Sequence, residues 1–244
     1  MSTVENVSRR RFLTGGVIAA GALVLGVRFY SKLSPGDRLP HDTNADHATL
    51  HPSVYLGIDP DGTVWIVASR SEMGTTSRTT LPLVVADELD ADWKRVKIEQ
   101  AIGDKRYGDQ NTDGSHSIRS YFDAMRIAGA SARFMLIQAA ANGWNVPASE
   151  CSAASGVITH KTSGRTTTFG KVADAAGKLE APKEVQLKDP KDWKIAGKPI
   201  KRLDTAPKLN GSLVYAIDLK QPGMLCAAIK DGGAKPNPPS DATQ

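Results

Sequence analysis

The chain has 244 residues, a formal net charge of +5, 40% hydrophobic residues and 23% charged residues, a composition typical of a globular protein. Its lysines are interspersed with acidic residues and proline and form no basic stripe with aromatic residues, which argues against nucleic acid as a partner. The two cysteines, Cys151 and Cys226, are too few for an iron–sulfur cluster and lack the CxxCH spacing of haem attachment. They form either a disulfide or, as we favour, two buried free thiols.

Residues 1–30 have the pattern of an export signal. The pair Arg9-Arg10 precedes a glycine-rich apolar run that ends at Val27 and is shorter than the about 20 apolar residues of a membrane-spanning helix. The Ser-Arg-Arg-x-Phe-Leu order resembles the twin-arginine signal of proteins that are exported already folded; an ordinary secretion signal or an N-terminal anchor is the alternative. We therefore expect a location in the periplasm or at the periplasmic face of the inner membrane, and a bulky cofactor inserted before export.

Residues 31–52 are polar and rich in proline, and we predict a tether. His41, His47 and His51 lie close together in this segment. Their spacing fits neither a helix face nor a known metal-ligand motif, so a solvated loop is the favoured interpretation and no metal ligand is assigned.

Residues 53–180 are predicted to form an α+β domain. The hydrophobic patterns predict, in chain order, strands at 54–59, 63–69 and 95–100, helices at 80–90 and 118–142, a hairpin at 157–169 and a helix from about Gly170. The Asp61-Gly62 pair is a typical hairpin turn. Pro82 fits only the first turn of a helix, which places the helix start near residue 80. Many alanines, together with Gly129, predict close packing of the long helix.

The remaining segments are less regular. Residues 181–208 are rich in Lys, Pro and Asp and are predicted as a solvated linker at a domain junction. Residues 209–230 contain two β-rich runs around Pro222-Gly223, and an incomplete pair of strands is expected there. Residues 231–244, rich in glycine and proline, are predicted to be disordered.

Two carboxylates, Glu72 and Glu88, lie on or near the first predicted helix. No group that would support either one as a catalytic base accompanies them. We expect Glu88 to be a solvated carboxylate on an exposed helix face, because glutamate is seldom buried. No catalytic residue is therefore assigned.

Three segments of the chain together resemble one family. They are SEMGTTSRTTLPLVVADELDADWKRVKIEQA, DGSHSIRSYFDAMRIAGASARFMLIQAAANGWNVP and KLNGSLVYAIDLKQPGMLCAAI. In this order they resemble the glycine turn with its helix and strand, the serine-rich cofactor loop with its helix, and the start of the α/β-hammerhead domain. The family is that of the xanthine dehydrogenase and aldehyde oxidase-type molybdenum hydroxylase large subunits, in particular the exported branch typified by isoquinoline 1-oxidoreductase beta subunits.

The resemblance implies a partial molybdopterin-binding domain at 53–180, followed by the start of an α/β-hammerhead domain at 209–230. It implies a molybdopterin cytosine dinucleotide cofactor and hydroxylation of a small-molecule aldehyde or N-heterocycle. A [2Fe–2S] small subunit is the implied partner, with a c-type cytochrome as a candidate electron acceptor. Family members are several-fold longer, so we expect a truncated chain that is inactive by itself. The alternative is a catalytically inactive exported remnant that acts only as a binding module.

The same resemblance assigns cofactor binding to two turns. The residues concerned are Gly74, Thr75 and Thr76 in the first turn and Gly114, Ser115, His116 and Ser117 in the second. Backbone N–H groups at tight turns and helix N-termini suit the pyrophosphate of a dinucleotide. Without the resemblance, ordinary helix starts whose Ser and Thr residues cap the helix are the favoured interpretation of both turns.

Both turns depart from the family pattern. The family's Met-Gly-Gln-Gly is Met-Gly-Thr-Thr here, which removes an amide side chain and puts Thr76 where a glycine is usual. If that position has a positive φ, threonine costs on the order of 1–2 kcal/mol there. The second turn has His116 in place of arginine, and Asp113 adds a negative charge where a phosphate would lie. These departures weaken the cofactor binding expected of this segment.

Overall fold

The computed structural model describes Ala45 and residues 48–229. The predicted signal, His41, His47 and the tail at 231–244 lie outside the described residues. The strands are β1 Leu50–Ser53, β2 Leu56–Ile58, β3 Val64–Ala68, β4 Val96–Gln100, β5 Cys151–Ala154, β6 Val157–His160 and β7 Thr166–Thr168. The helices are α1 Ser77–Leu89, α2 His116–Arg119, α3 Phe122–Trp144, α4 Phe169–Gly177 and α5 Thr205–Leu209. Within the described part of the chain, no helix is long and apolar enough to span a membrane.

The larger sheet has the order β1-β2-β3-β4. β1, β2 and β3 pair antiparallel, whereas β3 and β4 pair parallel, with Val64 opposite Val96. A parallel pair requires a crossover connection, and α1 lies in that crossover. The α+β class predicted from the sequence is confirmed.

The ordered fold begins earlier than the sequence indicates. β1 starts at Leu50, inside the segment predicted as a tether, so that prediction is wrong for residues 50–52. Leu50 is fully buried and lies opposite Ile58. Leu50 is the only large apolar residue of this strand, and Pro52 is typical of a loop, so the sequence pattern did not predict the strand. β1 is an edge strand, where a proline is tolerated.

α1 and α3 pack closely, as the alanines and Gly129 predict. A methyl group added at Gly129 would lie 2.4 Å from the carbonyl oxygen of Val85 on α1, so only glycine permits this approach. α1 begins at Ser77, earlier than expected, and Pro82 therefore lies inside the helix. The helix keeps this proline at the loss of one backbone hydrogen bond. The long helix predicted at 118–142 is divided into α2 and α3.

The smaller sheet has the order β5-β6-β7 and is antiparallel throughout. The predicted hairpin corresponds to β6 and β7, while β5, with Cys151, was not predicted. Both cysteines are free thiols, Cys151 buried and Cys226 exposed, so the expectation of burial is wrong for Cys226. Burial raises the pKa of the Cys151 thiol, which makes it the less reactive of the two.

The segment predicted as a solvated linker is bound to the domain as far as Leu203. The buried carboxylate of Asp87 on α1 accepts the backbone N–H groups of Lys194 at 3.0 Å and of Ile195 and Ala196 at 2.8 Å each. Lys188 Nζ lies 3.6 Å from the same carboxylate. Residues 186–203, called the 186–203 segment below, therefore belong to the folded unit that ends at Leu203. Residue composition does not indicate this attachment, because the hydrogen bonds to Asp87 come from main-chain N–H groups.

Glu88 is fully buried, so the expectation of a solvated carboxylate is wrong. One oxygen binds the Arg126 guanidinium at 2.8 Å, and the other accepts the backbone N–H of Lys188 at 3.0 Å. The Arg126 guanidinium also lies over the ring of Trp193, 5.3 Å from its centroid. A buried glutamate is stable only when it is paired in this way. Its partners are 38 and 100 residues away in the chain, beyond the range of pattern analysis.

The described residues from Asp204 to Ile229 belong to a second unit. Among its described residues, 204–229, there are a short helix, α5, and a 3-10 turn at Ala216–Asp218, but no strand. The strand pair predicted at 210–229 is therefore wrong for this structure. A strand needs a neighbouring backbone to pair with, and Ile217, Leu225 and Ile229 are at least 90% exposed.

Because Tyr55 is buried, we predict that the domain loses stability in alkali. Its hydroxyl donates to the carbonyl of Tyr107 at 3.2 Å, and burial raises its pKa above the ordinary value of about 10. The stabilisation is complete below about pH 10 and decreases above it, because Tyr55 ionises in the unfolded chain while it stays protonated in the folded one. The free energy of unfolding, measured with urea at pH 8 and just above pH 10, should fall less with rising pH in Tyr55→Phe than in the wild-type protein. The control Tyr215→Phe, at an exposed ring, should keep the wild-type dependence; equal slopes for both variants would contradict the prediction.

Candidate functional site

The two predicted cofactor turns leave the same edge of the larger sheet. β3 and β4 are parallel neighbours, so the loops that follow them begin side by side. The first loop comprises residues 69–76 and leads into α1. The second comprises residues 101–115 and leads into α2. The carboxyl edge of parallel strands is where open sheets with crossover helices bind ligands.

Arg70 joins the two loops from a fully buried position. Its Nε donates to Ser117 Oγ at 3.3 Å, and its Nη1 binds both the carbonyl oxygen and the carboxylate of Asp109. The guanidinium also lies over the Tyr121 ring, 5.1 Å from its centroid. Arg70 therefore fixes the first loop to the second loop and to α2.

Further hydrogen bonds connect the bases of the loops. Thr112 Oγ1 donates to the carbonyl of Ser71 at 2.7 Å, and Gln110 Nε2 donates to the carbonyl of Ser69 at 3.2 Å. The pKa of Asp109 is lowered, first by the backbone N–H of Asn111 and then by Arg70. Asp109 therefore stays charged at neutral pH and keeps its ion pair.

The backbone of the first turn is left-handed at two positions. Gly74 has φ +91° and Thr76 has φ +68°, so threonine occupies a left-handed position at a cost on the order of 1–2 kcal/mol. The Thr76 side chain does not cap α1. Glu72 caps the helix instead, because its carboxylate accepts the N–H groups of Gly74, Thr76 and Arg78.

The second turn is also left-handed. Gly114 has φ +48° and Ser115 has φ +59°, and the Ser115 side chain does not cap α2. His116 Nδ1 lies 3.2 Å from Ser120 Oγ. Neither turn is thus the simple Ser or Thr cap that was the alternative interpretation.

The candidate residues divide into two groups. Gly74, Thr75, Gly114, Ser115 and His116 are exposed, whereas Ser117 is buried and Thr76 is partly buried. Ser117 is bound to Arg70, and the Thr76 amide to Glu72. Sequence analysis missed the role of Arg70, Glu72 and Asp109. The only local signal for Arg70 is a charged residue directly after a predicted strand.

The chemistry of this edge fits an anionic ligand with many hydrogen-bond acceptors. Where the first loop leaves β3, two buried polar atoms of described residues, Ser69 Oγ and Arg70 Nη2, have no hydrogen-bond partner. A methyl group added at Gly74 would have no heavy atom within 4 Å, so there is space for a ligand above the turn. Within residues 48–229, no three His, Cys, Asp or Glu side chains cluster in a way that could hold a metal ion.

Comparison with known proteins decides the family. Residues 25–216 match the molybdopterin cofactor-binding domain family. The chain is 35% identical over 269 aligned residues to the isoquinoline 1-oxidoreductase beta subunit of Brevundimonas diminuta, which covers 93% of this chain and 33% of that protein. The chain belongs to the molybdopterin-binding family of xanthine dehydrogenase-type molybdenum hydroxylases. The resemblance drawn from its sequence is thereby confirmed.

Two further similarities accompany this match. A membrane-bound aldehyde dehydrogenase (pyrroloquinoline-quinone) of Gluconacetobacter polyoxogenes is 31% identical, over 90% of this chain and 29% of that protein. A Cu,Mo-CO dehydrogenase structure in the carbon monoxide reduced state aligns with a TM-score of 0.44 and 20% identity, over 55% of this chain and 18% of that chain. The chain thus spans about a third of the length of these two curated relatives.

Proposed function

We propose that the chain is the amino-terminal part of an exported molybdenum hydroxylase large subunit that hydroxylates an aldehyde or an N-heterocycle. The observation that carries the proposal is the buried Arg70, which joins the two family loops at one edge of the sheet and leaves Nη2 without a partner among the described residues. The names of the relatives support the substrate classes, since one is an isoquinoline oxidoreductase and another an aldehyde dehydrogenase.

The proposed cofactor is molybdopterin cytosine dinucleotide, which supplies the redox centre that transfers water-derived oxygen to the substrate. The residues proposed to hold it are those exposed at the edge, Gly74, Thr75, Gly114, Ser115 and His116. Glycine permits close approach of the backbone, and hydroxyl and imidazole groups donate hydrogen bonds. Arg70 holds the second loop next to the first and places a positive charge between them.

The proposed partner is a [2Fe–2S] small subunit that receives the electrons, with a c-type cytochrome as a candidate acceptor beyond it. The two cysteines of this chain, Cys151 and Cys226, are free thiols and are too few for a cluster of four thiolate ligands, which is consistent with a cluster held by a separate chain. Export by the twin-arginine route suits a complex whose cofactor is inserted in the cytoplasm.

The test is the cofactor content of the complex purified after co-expression with the small subunit. We expect molybdenum and pterin to copurify with the wild-type chain and to be lost in Arg70→Met, which removes the positive charge between the loops. Arg165→Met is the matched control, because Arg165 is exposed in the turn between β6 and β7, and it should retain both.

A wild-type complex that contains the small subunit but neither molybdenum nor pterin would overturn the proposal. That result would favour the second candidate, an inactive binding module. One observation favours this candidate: Glu72 satisfies the amides of the first turn, so the turn is formed by the chain alone. Circular dichroism of Arg70→Met separates loss of the cofactor from loss of the fold.

A further inference from the structure

The amino end of α1 already holds an anion, the carboxylate of Glu72. Oε1 accepts the backbone N–H groups of Gly74 at 2.7 Å and Thr76 at 3.0 Å, and Oε2 accepts that of Arg78 at 3.2 Å. Converging backbone donors at a helix N-terminus are the arrangement that binds a phosphate in nucleotide-binding proteins. Here the chain's own side chain takes up those donors.

A cation reinforces this contact. Arg202 Nη2 lies 3.3 Å from Glu72 Oε1, and Arg202 Nη1 donates to the carbonyl of Gly74 at 3.2 Å. The Glu72 side chain is only 13% exposed. Arg202 belongs to the 186–203 segment, which Asp87 fixes to α1. The carboxylate thus has the positive end of the helix on one side and a guanidinium on the other, both of which stabilise its charge.

We propose that Glu72 is a resident anion that closes the amino end of α1 to phosphate groups and orders the turn of Gly74–Thr76 without any ligand. A phosphate placed on these amides would lie against the Glu72 carboxylate, and the repulsion between the two anions opposes its entry. The first turn therefore contributes its shape and its open face to the site, and its amides are not phosphate donors.

The experiment is a titration of the 15N-labelled full chain with inorganic phosphate at constant ionic strength, observed by NMR at the amides of Gly74, Thr76 and Arg78. In the wild-type protein we expect no saturable shift at these three amides. In Glu72→Ala all three should shift together and saturate at millimolar phosphate, because the donors become available. Glu184→Ala is the matched control, since it removes an exposed carboxylate elsewhere and should behave as the wild type does.

Saturable phosphate shifts at these amides in the wild-type protein would overturn the proposal, and so would their absence in a folded Glu72→Ala. If Glu72→Ala does not fold, hydrogen exchange of Glu72→Gln replaces the titration. In this variant the remaining carbonyl oxygen still accepts the backbone N–H groups of Gly74 and Thr76. The new NH2 group faces the backbone N–H of Arg78 and cannot accept a hydrogen bond from it. Exchange should then accelerate at Arg78 and stay unchanged at the other two; unchanged exchange at all three would contradict the assignment.

Discussion

Asp87→Ala should destabilise the domain by about 3 kcal/mol, on the scale of a broken buried ion pair. The carboxylate is 1% exposed and accepts three consecutive backbone N–H groups, of Lys194, Ile195 and Ala196, besides its ion pair with Lys188. Alanine leaves these donors without an acceptor unless the 186–203 segment detaches into water, and both outcomes cost free energy. Urea unfolding measures the loss of stability.

Hydrogen exchange tells the two outcomes apart. If the segment detaches, the amides of residues 194–196 should exchange far faster than in the wild type, while those of α3 keep their protection. Asp192→Ala is the matched control, because Asp192 is exposed in the same segment, and it should change the free energy of unfolding by less than about 0.5 kcal/mol. If Asp87→Ala changes the free energy of unfolding by less than about 0.5 kcal/mol and residues 194–196 stay protected from hydrogen exchange, Asp87 does not attach the segment.

Gly129→Ala should destabilise the domain by about 1–3 kcal/mol, the usual cost of adding a methyl group to a close-packed contact. The added carbon would lie 2.4 Å from the carbonyl oxygen of Val85 and 2.9 Å from Cβ of Glu88, so α1 and α3 have to move apart. That movement also strains the buried pair of Glu88 and Arg126, which joins the same two helices. Helix propensity alone predicts the opposite sign, since alanine is favoured over glycine by about 1 kcal/mol.

Gly143 supplies the control on the same helix. It lies in α3 with no heavy atom within 4 Å of an added methyl group, so Gly143→Ala should stabilise the protein by about 0.5 kcal/mol. Thermal or urea unfolding of the two variants should therefore give changes of opposite sign. If both variants stabilise the protein, α1 and α3 are not in the close contact described.

The sequence by itself determined the elements with a strong local pattern. The apolar spacing of α1, the alanine-rich α3 and the strand at 96–100 were predicted to within a few residues, because their periodicity is carried by neighbouring positions. Three blocks in a fixed order also determined the family. The family pattern raised a positive φ at Thr76 only as a condition, and the structure meets that condition; backbone conformation at such a turn is a local property.

Only the tertiary structure decided which polar groups are buried. The sequence predicted that Glu88 and the 186–203 segment are solvated, yet Asp87 and Glu88 bind that segment across 100 or more residues of sequence, and Arg126 binds it across 62. The same is true of Arg70, whose partners Ser117 and Asp109 lie 47 and 39 residues away, and of the contact between Glu72 and Arg202; the other partners of Glu72 are local amides. A buried charge is stable only where donors from distant parts of the chain converge on it, and this convergence depends on the folded arrangement, which no local pattern records.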